Sequence, residues 1–238
     1  MTILKTDTVS GIGTEGTVFE GDITFDSLNY MTLPKGTTTQ SNRGRALLMG
    51  NQSSAADGMK YFSLISSGNT ILFGDLTGND IIWGGAGASS TRGVIGGGSP
   101  VTNTMEYVTI ATTGNSLNFG DTQVACCRSQ TMYNSTRGVF SGGDGPSGSL
   151  SRIDYITIAT TGNSQDFGEQ QFGAGGQGFN GVSSAIRGVY GVTWNNPSAY
   201  NVLEFITIAQ TGNGTDFGDL TVSGEGQAGC SNSHGGLQ

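Results

Sequence analysis

The acidic residues that follow a repeated Phe-Gly pair are the side chains of this sequence best suited to chemistry. They are Asp75, Asp121, Glu169 and Asp219. Carboxylates that recur around a ring could line its channel and bind a cation. Calcium takes about six to eight oxygen ligands, however, and the chain has no Asp-x-Asp-x-Asp loop with a central glycine. We therefore expect these side chains to cap turns by accepting backbone N–H hydrogen bonds, and we predict no metal and no cofactor.

Other catalytic patterns are scarce. Three acids, Asp144, Asp166 and Asp216, could contribute to the carboxylate pair of a glycosidase. His234 is the only histidine, so a Ser-His-Asp triad and a multi-histidine metal site are both unsupported. Residues 173–178 satisfy GxGxxG, but no helix is expected after them, so a dinucleotide site is not predicted. We predict that the protein is not an enzyme and keep a glycan-degrading enzyme as the alternative.

The candidates for ligand binding are aromatic and amide residues outside the repeated phrase, in variable loops. They are Trp83, Trp194, Asn195, Asn196 and Tyr200. Exposed aromatic rings beside amide groups suit stacking on the faces of sugar rings, and the alternative is that these loops pack against the sheets. The sequence therefore predicts a surface that binds a glycan or a protein.

These side chains must be positioned by a repeated phrase of about 48 residues. Each copy has an aromatic residue, a β-type run, a Gly-Asn turn, and Phe-Gly followed by an acid. The leading aromatics, Tyr61, Tyr107, Tyr155 and Phe205, are 46, 48 and 50 residues apart. A repeat of this size predicts a modular scaffold, because one unit cannot bury its apolar face alone.

Each repeat is predicted to contain four short strands and no long helix. One strand begins at a recurring arginine, as in residues 137–142, and the next spans residues 155–159. A Gly-Asn turn follows, and a third strand carries Phe167. We place a fourth, weaker strand in the variable stretch, as at residues 123–127. Four strands in about 48 residues are typical of a β-propeller blade.

The recurring arginines are expected to be architectural. They are Arg45, Arg92, Arg137 and Arg187. Equivalent positions in a ring usually pair with acids or with neighbouring carbonyl groups, and the alternative is an anion site. The phenylalanines of the repeated Phe-Gly pairs are expected to pack between blades: Phe73, Phe119, Phe167 and Phe217.

The chain is predicted to have two parts. Residues 1–42 do not match the repeat and are interpreted as an N-terminal β arm, either an attachment segment or a strap across the repeat domain. Residues 43–238 are interpreted as a propeller-like domain of about four blades. Residues 232–236 are similar to residues 134–138, so a fifth unit would begin there and the first repeat could complete it. Four blades are few for a ring, so rings formed between chains stay open as an alternative, and a homo-oligomer is expected.

Composition excludes several classes of partner. The net charge is −8 with only 10 basic residues, which argues against nucleic-acid binding. No stretch approaches 18 apolar residues, so no membrane span is expected. The N-terminus lacks the basic and apolar segments of a signal peptide, which predicts synthesis in a cytoplasm. Three cysteines without a CxxC spacing favour small buried thiols over a disulfide framework or a zinc site.

The repeat resembles the kelch repeat. Glycine doublets end the apolar strand at Gly96-Gly97 and Gly142-Gly143, Ile153-Asp-Tyr155 looks like the entry to the second strand, and Phe-Gly-Asp replaces the usual tryptophan segment. The likeness covers about residues 43–238. It implies an all-β, kelch-like β-propeller of about four blades.

A second resemblance is to repeat proteins of marine tailed phages, notably cyanophages. It rests on the wording Tyr-Ile-Thr-Ile-Ala-Thr-Thr-Gly-Asn with Phe-Gly-Asp, and on the entry sequence at residues 16–34. The resemblance implies a virion structural protein on the particle exterior, either a capsid decoration protein or a tail-fibre component in host attachment. Residues 1–42 would then bind other virion proteins. The remaining alternative is a general kelch-type interaction scaffold.

Overall fold

The computed structural model describes residues 44–50, 58–64, 66–78, 82–172, 181–195, 198–223 and 229–231, with the backbone alone for 192–195 and 198–200. Within these ranges every regular element is a β-strand, which confirms the prediction of an all-β fold. No helix in this part of the chain is long and apolar enough to cross a membrane. The predicted arm, residues 1–42, lies outside the described residues.

The strands form four sheets that follow one another along the chain. Sheet 1 contains β1 (Arg45–Leu48), β2 (Met59–Ser63) and β3 (Ile71–Gly74). Sheet 2 contains β4 (Gly85–Ala88), β5 (Arg92–Gly96), β6 (Thr102–Thr109) and β7 (Leu117–Cys126). Sheet 3 contains β8 (Gln130–Tyr133) and β9 (Arg137–Ser141), then, after the ribbon β10 (Asp144–Gly145) and β11 (Gly148–Ser149), β12 (Arg152–Thr157) and β13 (Gln165–Glu169). Sheet 4 contains β14 (Val182–Ser183), β15 (Arg187–Asn195), β16 (Ser198–Thr207) and β17 (Thr215–Asp219).

Sheets 2, 3 and 4 share one antiparallel topology in which each strand pairs with the next strand of its sheet along the chain. The third strand of each carries a register shift where it pairs with the fourth, at Met105/Glu106, Ile153/Asp154 and Leu203/Glu204. Sheet 1 carries the same shift at Met59/Lys60. A bulge of this kind redirects a side chain locally, so the residue at this position leaves the ordinary alternation of the strand.

The predicted position of the weak fourth strand is wrong. Residues 123–126 extend β7, because Cys126 pairs with Thr102 of β6 in sheet 2. The weak strand is β8, which pairs with β9 and is therefore the first strand of the following sheet. A repeat of the sequence thus begins one strand later than a sheet of the structure does.

The apolar core lies between successive sheets. Phe119 of sheet 2 packs in one buried cluster with Ile156 and Ile158 of sheet 3. Phe167 of sheet 3 packs in the same way with Ile206 and Ile208 of sheet 4. The predicted packing of the repeated phenylalanines between units is confirmed for Phe119 and Phe167, and also for Phe73, which clusters with Val108 of sheet 2.

Two of the three cysteines fit the prediction of small buried thiols. Cys126 and Cys127 are buried, whereas Cys230 is exposed, and all three are free thiols. Burial raises the pKa of the Cys126 and Cys127 thiols, because the charged thiolate would lose its hydration. Neither buried thiol therefore has the character of a reactive cysteine.

Candidate functional site

Each junction between sheets is built by a Gly-Asn turn that rests on the Phe-Gly-acid segment of the preceding repeat. Gly162 N–H donates to the Phe119 carbonyl at 2.7 Å, and Ser164 N–H donates to the Asp121 carbonyl at 2.8 Å. In return, Asp121 N–H donates to Asn163 Oδ1 at 3.0 Å. The same three bonds recur at the junctions on either side, with Asn115 and Asn213 as the amide acceptors. Gly-Asn and Phe-Gly are therefore two halves of one contact.

The glycine of Phe-Gly is required by this contact. Gly120 has a φ of +142°, and a Cβ there would overlap the carbonyl of Gly162. Gly74 and Gly168 face the next turn in the same way. Only glycine combines this backbone conformation with so close an approach of a second chain segment.

The acids after Phe-Gly contribute mainly through their backbone. The amides of Asp75, Asp121 and Glu169 donate to the turn of the next repeat, as described above. One side chain, that of Glu169, accepts from the Ser151 hydroxyl, and turn capping is performed by a different residue, since Asp216 Oδ1 accepts from Gly218 N–H at 2.9 Å. Within the described ranges, no three His, Cys, Asp or Glu side chains come together as a metal site.

The carboxylates that matter most at the junctions were missed by sequence reasoning. Glu106, Asp154 and Glu204 directly precede the leading aromatics, lie at the bulges, and are at most 1% exposed. Glu204 accepts from the N–H groups of Gln171 at 3.0 Å and Phe172 at 2.8 Å. An acid before three of the four leading aromatics, with Lys60 in the first repeat, was the available signal.

The other two buried carboxylates bind the preceding repeat in the same manner. Glu106 accepts from Thr77 N–H at 3.0 Å and from Gly78 N–H. Asp154 accepts from Gln123 N–H at 3.3 Å and also forms an ion pair with Arg152. Burial lowers the pKa of the Arg152 guanidinium. These acids accept hydrogen bonds from loop N–H groups at the junction, and the N–H groups of Thr77 and Gln123 also donate to Ser116 Oγ and Ser164 Oγ.

The recurring arginines hold the outer end of each junction. Arg92 lies over the Tyr107 ring, 4.3 Å from its centroid, and donates to the Ile158 carbonyl of the next repeat at 2.7 Å. Arg45 and Arg137 stack and donate equivalently, and Arg187 stacks on Phe205. Their guanidinium groups are thus engaged by an aromatic face within the repeat and, in three cases, by a carbonyl of the next repeat. This arrangement is architectural, as expected.

A polar groove of about 440 Å³ lies where the first strands of sheets 2, 3 and 4 approach one another. Its walls come from Gly84–Ala88, from Ser129, Thr131, Tyr133 and Asn134, and from Gly181 and Ser183. Glycines in and beside β4 leave room for the Tyr133 ring, since a Cβ at Gly87 would overlap it. The groove is therefore lined mainly by backbone, hydroxyl and amide groups.

Two hydroxyl groups of this groove are buried without a hydrogen-bond partner, namely Ser129 Oγ and Tyr133 OH. The two side chains are only 7% and 8% exposed. Burial raises the pKa of the Tyr133 hydroxyl, so it keeps its proton and its capacity to donate. Buried polar atoms usually have partners, so these two hydroxyls are exceptions, and in this conformation they are covered by protein and closed to a ligand.

Trp83 lies at the groove, directly before Gly84. Its ring is 54% exposed and stacks on the guanidinium of Arg128, whose centre is 4.1 Å from the ring centroid. Arg128 N–H donates to the Trp83 carbonyl at 2.8 Å, and Arg128 pairs with Asp144 at 2.9 Å. Both Trp83 and Arg128 have φ near +58°, at 57° and 58°, a costly conformation for large side chains. The fold thus holds an aromatic ring outward at the groove.

The other predicted binding residues lie in a separate hairpin. Trp194 and Asn195 are in β15 and Tyr200 is in β16, and these strands pair, with Trp194 opposite Ala199. The structure describes the backbone of these three residues alone, and Asn196 lies outside the described residues. The hairpin therefore brings Trp194 and Tyr200 onto neighbouring strands, in sheet 4, whereas Trp83 precedes sheet 2.

Neither the protein-family models nor the curated proteins include a match to this chain. The geometry of the junctions and of the groove therefore carries the functional interpretation.

Proposed function

We propose that this chain is a structural protein on the exterior of a tailed-phage virion, either a capsid decoration protein or a tail-fibre component, and that it acts by binding. The observation that carries the proposal is the use of the repeated polar residues. Glu106, Asp154 and Glu204, with the arginines and the turn asparagines, join one repeat to the next. A chain whose recurring polar groups serve its own rigidity is suited to a structural role.

A kelch-like propeller of about four blades is the architecture that we propose for the repeats. Three successive sheets with one meander topology direct their first strands, β4, β8 and β14, towards a common groove. In propellers the blades surround a central channel in this way. Residues 1–42 would form the attachment arm, binding other virion proteins.

The groove supports binding of a host surface glycan. Sugars present apolar ring faces and many hydroxyl groups, which match the exposed Trp83 ring and the half-buried hydroxyl and amide groups of Thr131 and Asn134 in the groove lining. Asp144, a candidate for a glycosidase carboxylate, is instead paired with Arg128, which itself holds Trp83. Binding is therefore better supported here than hydrolysis.

Immunogold electron microscopy tests the location. Antibody raised against the purified chain is applied to particles of the phage that encodes it, with an unrelated phage as the control. Label on tail fibres supports host attachment, and label over the head supports decoration of the capsid. Particles without label would contradict the virion assignment.

A binding assay with host surface polysaccharide tests the groove. We expect Trp83→Ala to weaken binding about tenfold, because stacking of this kind contributes about 1 to 2 kcal/mol. Phe172→Ala is the matched control, since Phe172 is also an exposed aromatic, at 41%, and lies after β13, whereas Trp83 directly precedes Gly84 of the groove lining. Release of reducing ends that is lost on changing Asp166 or Asp216 would replace the binding proposal with the enzymatic one.

A further inference from the structure

The fourth repeat carries one half of a junction that no residue of the described ranges fills. Phe217 is 49% exposed, whereas the equivalent Phe119 and Phe167 are 2% and 3% exposed. A Cβ placed at Gly218 would meet no atom within 4 Å, although the same test at Gly120 and Gly168 meets the turn of the next repeat. Phe217, Gly218 and Asp219 form a face that we call the C face. A Gly-Asn turn packs on the equivalent residues at the internal junctions, and among the described residues the C face lacks such a turn.

The first repeat carries the opposite half, also unfilled. Leu64 is 67% exposed, whereas the equivalent Ile158 and Ile208 are 1% and 0% exposed because each packs beside the phenylalanine of the preceding repeat. Gly68 and Asn69 have the same sequence positions as the turn residues Gly162 and Asn163 of an internal junction. Leu64, Gly68 and Asn69 form what we call the N face. Their equivalents in later repeats are the isoleucine and the Gly-Asn turn that pack on the preceding repeat at each internal junction.

The chain after β17 shows where a further repeat would begin. The Ser231 hydroxyl donates to the Ser183 carbonyl at 2.8 Å. This contact repeats one step along the molecule, since the Ser183 hydroxyl donates to the Tyr133 carbonyl at 2.9 Å. Ser231 thus has the position of a first strand. Sheet 1, whose described strands are β1, β2 and β3, begins with the strand that would follow it.

We infer that the N face of one copy of this chain docks on the C face of a second copy, head to tail. The internal junctions define the contacts: Gly68 N–H donates to the Phe217 carbonyl, Asn69 Oδ1 accepts from Asp219 N–H, and Leu64 covers the Phe217 ring. Arg187, which already stacks on Phe205, reaches the Leu64 carbonyl as Arg137 reaches that of Ile208. The contact is heterologous, so it produces a ring or a filament.

The junction between copies is weaker than the internal ones. The loop N–H groups after Asp219 would face Lys60, where the internal junctions place Glu106, Asp154 or Glu204. Because the carboxylate is missing there, the affinity between copies is low, and the fraction of assembled protein changes over the usual range of protein concentrations. Assembly can therefore be measured as a reversible equilibrium.

Light scattering of the full chain over a range of concentrations tests the inference. We expect wild-type protein to form assemblies of at least about twice the monomer mass, as a heterologous contact requires. Leu64→Asp and Phe217→Asp should both be monomeric, since each places a charge on one face. Ile71→Asp is the matched control, because Ile71 is 57% exposed and its equivalent, Leu117, stays 58% exposed beside a filled junction.

Mixing the two monomeric variants tests whether the partner of the C face is the N face of a second copy. Leu64→Asp keeps its C face and Phe217→Asp keeps its N face, so together they should form a one-to-one dimer that grows no further. A wild-type chain that stays monomeric at all concentrations would overturn the inference. Failure of the mixture to dimerise, with a lowered melting temperature of both variants, would also overturn it, because the faces would then close within one chain.

Discussion

The junctions between repeats and the polar groove use buried polar groups in opposite ways. At the junctions, the buried carboxylates of Glu106 and Glu204 each accept several hydrogen bonds from a neighbouring repeat. In the groove, the buried hydroxyls of Ser129 and Tyr133 have no partner. Unsatisfied buried groups cost stability, so a fold retains them where another benefit compensates. The difference holds for Glu106 and Glu204, which serve architecture, whereas at the junction of sheets 2 and 3 Asp154 Oδ1 and Arg152 Nε also lack a hydrogen-bond partner.

The largest expected contrast is between two aromatic truncations. Phe167→Ala removes a ring that is 3% exposed and packs with sheet 4, so it should lower the free energy of unfolding by about 3 to 5 kcal/mol. Trp83→Ala removes a larger but half-exposed ring and should cost less than about 1 kcal/mol. Urea denaturation of both variants measures this contrast. Equal losses would contradict the division of roles.

Removal of a junction carboxylate should have the next largest effect. Glu106→Ala leaves the Gly78 N–H group and the Ser116 hydroxyl without their acceptor, whereas Thr77 N–H keeps Ser116 Oγ at 2.9 Å. Each orphaned buried group costs about 1 to 3 kcal/mol, so a loss of about 3 kcal/mol is expected. Asp219→Ala is the control, since Asp219 is an exposed acid of the fourth repeat, on the face where no following repeat packs in the described structure. A similar loss from both changes would show that the buried acid has no special role.

The repeat could be predicted from the sequence because the residues that join sheets recur with it. Turn glycines, Phe-Gly pairs and arginines are each needed at every junction, so they recur about every 48 residues and can be recognised in the sequence. The assignment of β8 to the following sheet could not be predicted. A short strand with weak alternation does not specify which of its two neighbours in the chain it will pair with.

The buried acids and the groove escaped prediction for different reasons. Asp154 and Glu204 lie in strands where alternation alone would not mark them as buried, and a bulge redirects them inward. The groove combines residues of three sheets, such as Gly85, Ser129 and Gly181, whose types vary between repeats. Neither periodicity nor composition marks residues that only tertiary packing brings together.

The junction of sheets 3 and 4 tests the role of the hydroxyl group that donates to the buried carboxylate. At this junction a tyrosine hydroxyl takes the place of the serine hydroxyl found at the preceding junction. Ser164 Oγ donates to Asp154 at 3.0 Å, whereas Tyr190 OH donates to Glu204 at 2.6 Å beside Gly214. A Cβ at Gly214 would overlap both Glu204 Oε2 and the Tyr190 hydroxyl, and Tyr190→Phe relieves only the second overlap. Gly214→Ser should therefore cost about 2 kcal/mol by overpacking.

The same change should cost less in a Tyr190→Phe background, where the serine hydroxyl has room to reach Glu204. A double-mutant cycle of thermal unfolding measures the coupling between the two positions. Additive effects would show that the two hydroxyls are not interchangeable, and that the junction depends on residue identity instead of hydrogen-bond geometry.

The smallest expected change in stability lies in the groove. Tyr133→Phe removes a buried hydroxyl that has no partner, so stability should stay within about 0.5 kcal/mol of wild type or rise. Tyr190→Phe, the matched change at a junction, removes a hydroxyl bound to Glu204 and should cost about 1 to 2 kcal/mol. Binding of host polysaccharide should be unchanged by both substitutions, because both hydroxyls are buried. A stability loss from Tyr133→Phe equal to that from Tyr190→Phe would place the Tyr133 hydroxyl among the structural groups.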